Sequence, residues 1–90
     1  MTLSIDQLKK KIIYRSNYRG TKEMDKLLGA FTKRYIDTLS IKELEDLEEL
    51  LDIDDTNLYN FYNGFDCDIK SKNKYIYMLF KDFRYNVDLD

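Results

Sequence analysis

"LSIKELEDLEELLDIDDTNLYNFYNG", residues 39–64, contains two helix starts in succession. Ser40 stands at an N-cap with Glu43 three residues on, the capping-box spacing, and Leu39 and Leu44 take the staple positions on either side. Leu44, Leu47, Leu50 and Leu51 recur at helical spacing and leave the acidic "KELEDLEE" on the outer face. The device then repeats. Asp54 caps, Ile53 and Leu58 form the staple, and Leu58, Phe61 and Tyr62 face inward. Gly64 falls at C′, where left-handed backbone favours glycine. The chain has no proline, and nowhere do β-branched residues alternate with polar ones over a strand length. The pattern predicts an all-α fold.

Working outward, Ser4 and Gln7 make a second capping box, followed by Ile5, Leu8 and Ile12 at helical spacing. This first helix fades near Asn17 and ends at "YRG". A second, from about Thr21 to Asp37, carries Met24, Leu27, Leu28, Phe31 and Tyr35 on one stripe. After the loop "FDCDIK", a fifth helix is expected over about Ser71 to Tyr85, with Ile76, Leu79, Phe80 and Phe83 inward. Tyr75, Met78 and Tyr85 on its other side predict partial packing against the body, or else a contact surface. The tail "NVDLD", residues 86–90, is expected to fray. The expectation is a single domain over residues 1–90, a compact five-helix bundle.

The 90 residues carry a net charge of −2, unevenly spread. Residues 1–34 hold nine Lys/Arg against three acids, and residues 35–68 hold one Lys against eleven acids. Such blocks are usually solvated helix faces, and less often a dipole that orients a partner. The start "MTLSIDQLKKK" lacks a signal-peptide h-region and an Arg- and Ser-rich leader, which predicts a protein working in a bacterial cytoplasm. No apolar run approaches the roughly 18 residues of a membrane span, so no membrane insertion is expected.

Catalysis finds little support. There is no His, and Cys67 is the only cysteine, which excludes a disulfide and a cysteine metal cluster and reads as a free loop thiol. Acids on the exposed face of "ELEDLEE" lack an enclosing pocket. "DIDDTNLYN" has alternating acids but lacks the mid-loop glycine and terminal Glu of a calcium loop, so capping explains it better. Lys9, Lys10, Lys11, Arg15, Arg19, Lys22 and Lys26 make a basic patch, yet the protein is net acidic, so nucleic acid is not the expected partner. The sequence thus predicts a protein that is not an enzyme, has no metal or cofactor of its own, and is a monomer when free.

"YRGTKEMD", residues 18–25, remains. As a helix joint, it puts Gly20 at the N-cap and Glu23 at N3, with Asp25 a further first-turn acid. That reading leaves Arg19 unexplained. As an interface, Arg19 offers a planar charged fork, Gly20 lets backbone approach backbone, and Glu23 can reach a basic group. On this second reading the turn lies on the surface, and Arg19→Ala leaves the melting temperature near wild type.

Arg19-Gly20-Thr21-Lys22-Glu23-Met24-Asp25 resembles the Arg-Gly-x-x-Glu motif, followed by Asp, of the succinate dehydrogenase flavinylation factors. These are small helical assembly proteins of bacteria and mitochondria. The resemblance runs over roughly residues 12–64, through "LLGAF", the "DTLS" helix start and "LLDIDDTNLYNF". Tyr18 stands where the family usually has a second basic residue, and Thr21 where it usually has Met. Thr56-Asn57-Leu58-Tyr59-Asn60-Phe61 stands for the family's Pro-Asp-Leu-Phe-x-Trp. The resemblance implies a chaperone that binds the flavoprotein subunit of succinate dehydrogenase, or of fumarate reductase, and promotes covalent attachment of FAD to it. FAD is then the client's cofactor, within respiratory complex assembly and the tricarboxylic acid cycle. The residues it implies for partner binding are Arg15, Tyr18, Arg19, Gly20, Lys22, Glu23 and Asp25. The alternative is a helical adaptor or antitoxin-like protein with a different partner.

Overall fold

The computed structural model describes residues 4–65, 67, 69–70 and 73–84. Five helices follow in order: α1 (Ile5–Asn17), α2 (Lys22–Tyr35), α3 (Ile41–Leu51), α4 (Asp55–Tyr62) and α5 (Tyr75–Asp82). The described residues hold no strand, and the molecule is an all-α bundle. α1 packs against both α2 and α3, and α5 closes over α3 and α4.

The caps explain the boundaries. Both capping boxes form in full, Ser4 with Gln7 and Ser40 with Glu43. Asp54 accepts from the backbone N–H of Asn57 and opens α4, and Gly64 takes φ +80° where the chain leaves it. The start of α2 differs from expectation. Thr21, not Gly20, is the N-cap, and its hydroxyl accepts from the N–H of Met24 at 3.3 Å. Glu23 therefore sits at N2, not N3, and forms no capping box. α5 is shorter than the periodicity predicts. It opens at Lys74 without a side-chain cap, and Phe83 already has extended backbone at its end.

The core joins the inward stripes of all five helices. Ile12, Leu28, Phe31, Leu44, Leu47, Leu50, Leu58, Ile76 and Phe80 are fully buried, each contributing roughly 1.5–3 kcal/mol of burial free energy. Tyr77 is also buried, which the stripe does not predict, because its hydroxyl reaches Glu49 at 2.9 Å and so remains hydrogen-bonded. Ser16 and Thr32 are buried polar residues at the α1–α2 contact. Their hydroxyls lie 2.6 Å apart, and Ser16 also donates to the Ile12 carbonyl. Tyr75 and Met78 are well exposed rather than packed on the body; Tyr85 and the 86–90 tail lie outside the described residues. Cys67 is half-buried against the core and is a free thiol.

The charge blocks pair across helices. Basic α1 lies along the acidic stretch that follows it in space, with Lys9 on Asp37 at 3.4 Å, Lys11 on Glu48 at 2.8 Å and Arg15 on Asp52. Each exposed pair contributes little by itself; the buried face of α1 is its Leu8, Ile12 and Ser16 stripe.

The Asp54 cap also sets a pH dependence. Hydrogen bonds from the Asn57 side chain and then its backbone N–H hold the Asp54 carboxyl below its ordinary value. A folded pKa below the unfolded one stabilises the fold above the ordinary carboxylate range, and that contribution is lost as pH falls through the folded value. Asn caps as well as Asp but does not titrate. Thermal melts between about pH 2 and 6 should therefore show a shallower acid limb for Asp54→Asn than for wild type. Superimposable limbs would remove Asp54 from the titration.

Candidate functional site

The turn between α1 and α2 meets the turn between α3 and α4, and Arg19 joins them. Its Nε donates to Asp55 Oδ1 at 2.8 Å, and its two terminal nitrogens donate to the carbonyls of Leu51 and Ile53. Those carbonyls lie at the C-terminal end of α3, where backbone acceptors lack helical partners and attract a cation. The Arg19 side chain is only 11% exposed. The fork that the sequence offers to a partner is turned inward and fully used within the chain.

Asp55, at the first position of α4, binds the same turn a second time. Its Oδ2 accepts from the Gly20 N–H at 3.0 Å, while Asp25 accepts from the Arg19 N–H. A Cβ on Gly20 would lie 3.2 Å from Asp55 Oδ2, tighter than ordinary contact. Glycine thus serves first to let Asp55 approach. Nothing in the sequence marks Asp55 as part of the motif, because its partners are 35 and 36 positions away.

The other expected residues surround this bracket. Arg15 pairs with Asp52 one turn before Arg19. Tyr18 is 69% exposed and stacks on Tyr14 with ring centroids 4.6 Å apart. Lys22 and Glu23 are exposed, and neither side chain has an ion pair among the described residues. The structure therefore divides the set. Arg19, Asp25 and Arg15 make hydrogen bonds or ion pairs within the chain, whereas Lys22 and Glu23 are exposed beside Gly20 and the exposed Tyr18 lies on Tyr14.

Two recesses flank the Gly20–Asp55 contact. One, of about 360 Å³, is a shallow polar groove lined by Arg15, Tyr18, Arg19 and the residues 51–55 turn. The other, of about 320 Å³, lies between α2 and α4 and is lined by Thr21, Glu23, Met24, Asp55, Thr56 and Tyr59. Among the described residues no group of His, Cys, Asp and Glu could hold a metal ion. No helix among them is long and apolar enough to cross a membrane.

The chain has known relatives. It is 42% identical over 43 residues to Succinate dehydrogenase assembly factor 2, mitochondrial, of Komagataella phaffii, a match covering 48% of this chain and 23% of that protein. The matched stretch is thus less than a quarter of that relative's length. No solved structure matches. Residues 10–83 match the family described as Flavinator of succinate dehydrogenase. That match extends past residue 64 through α5, so the helix that the motifs left unassigned is part of the family's domain. With most of its length matched, from within α1 to the end of α5, the chain belongs to the family of flavinators of succinate dehydrogenase.

Proposed function

We propose that this protein is an assembly factor that binds the flavoprotein subunit of succinate dehydrogenase, or of fumarate reductase, and promotes covalent attachment of FAD to it. The observation that carries this is the Arg19 bracket. It holds an Arg-Gly-x-x-Glu turn in one shape at the surface of a chain whose family is described as a flavinator of succinate dehydrogenase. A preorganised turn loses little freedom on docking, which favours affinity. Tyr18, Gly20, Lys22 and Glu23 face the client in this reading, and Arg15, Arg19 and Asp25 keep the turn in register. Bond formation belongs to the client and its flavin. The factor carries no cofactor and acts by holding the client in a competent state, in the compartment where the client is assembled.

The test is in-gel fluorescence of covalent flavin on the client subunit, incubated with FAD in the presence and absence of this protein. A several-fold gain in flavinylation rate is expected. Equal rates, or capture of an unrelated protein in place of the flavoprotein, would favour the adaptor reading.

A further inference from the structure

The recess between α2 and α4 differs in character from the groove beside it. Met24 forms its floor and is buried, whereas Tyr59 stands on its wall 48% exposed. Thr21 and Thr56 complete the lining. Two carboxylates also border it, and they are not equivalent. Asp55 is neutralised by Arg19 and takes a second hydrogen bond from Gly20. Glu23 has no hydrogen bond or ion pair to its carboxylate among the described residues, so it is the one uncommitted charge in the lining. Arg19, in the same turn, commits its guanidinium to Asp55 and to the carbonyls of Leu51 and Ile53.

An aromatic wall, an apolar floor and one free carboxylate at the rim suit a long side chain with a cationic head. The stem covers Met24 and the threonines while the head meets Glu23. A planar guanidinium matches this better than an ammonium, because it can lie on the Tyr59 ring and still offer paired N–H donors to the carboxylate. We infer that this recess is a socket for an arginine side chain of the client, with Glu23 as counter-ion and Tyr59 as stacking wall. The inference rests on the client-binding reading above and adds to it a subsite built half from α4, outside the Arg-Gly-x-x-Glu turn.

The test measures Kd for the purified flavoprotein subunit. Glu23→Gln and Tyr59→Ala should each weaken binding about tenfold or more, Tyr59→Phe should bind like wild type, and all three should melt near wild type because both side chains are exposed. Replacing client arginines by Gln one at a time should then find one position where the loss is clearly smaller in Glu23→Gln than in wild-type factor. Binding by Glu23→Gln and Tyr59→Ala at wild-type affinity overturns the socket while leaving client binding in place. Coupling of Glu23 to a client lysine instead also overturns it. A wild-type factor that does not bind the subunit overturns both this inference and the reading beneath it.

Discussion

Replacing Phe31 by Ala is expected to cost about 3–5 kcal/mol, the range for deleting a fully buried aromatic ring. Phe31 is 0% exposed. Its ring lies 5.1 Å from Tyr35, 5.3 Å from Phe80 and 5.4 Å from Phe83, centroid to centroid, with both α5-side contacts edge-on. It is the point where α2 touches the segment carrying α5, so the void would open between two elements that share few other contacts. A 90-residue domain has about 5–13 kcal/mol in all, and the loss would consume a large part of it. Circular dichroism should show a melting temperature lower by at least about 10 °C. A shift of only a few degrees would mean that the aromatic cluster repacks.

Arg19→Ala is expected to cost about 2–4 kcal/mol, since it leaves the part-buried Asp55 without its cation and two carbonyls without donors. This reverses the expectation from sequence that a surface turn tolerates the change. Arg19→Lys should recover only part of the loss, because one ammonium cannot reach three acceptors arranged around a planar fork. Urea unfolding followed by far-UV dichroism separates the cases through the midpoint at unchanged slope. A wild-type midpoint for Arg19→Ala would show that the bracket contributes nothing and that Arg19 is available to a partner. Flavinylation assays on Arg19 variants therefore need a stability control, since loss of activity could follow from loss of the turn's shape.

What was legible in the sequence divides along physical lines. Ser4, Ser40 and Asp54 announce their helices because an N-cap and its N2 or N3 donor are close in sequence. Sequence alone places the cap of α2 one residue early, since Gly20 and Thr21 both suit that position. Only the tertiary structure shows that the Gly20 N–H is committed to Asp55, leaving the cap to the Thr21 hydroxyl. The inward turn of Arg19 could not be read locally, because its acceptors are 32 to 36 positions away. The charge blocks were visible, but their mutual pairing depends on α1 lying against α3. Glu23 was found from the motif. Tyr59 was not, since a tyrosine on an amphipathic helix looks the same whether it lines a recess or lies flat on the surface.

The Arg19–Gly20–Asp55 contact also restricts how such a chain can drift. Loss of Asp55 alone strands a guanidinium, loss of Arg19 alone strands a carboxylate, and any side chain at position 20 crowds Oδ2. Each single step is uphill, and a joint replacement of Arg19 and Asp55 by apolar residues of similar volume, which strands no charge, still leaves the Gly20 amide and two carbonyls without their partners. Such a double variant would retain the helices while releasing the Gly20 amide and the two carbonyls of the neighbouring turn. The three positions therefore behave as one heritable character, epistatic in pairs.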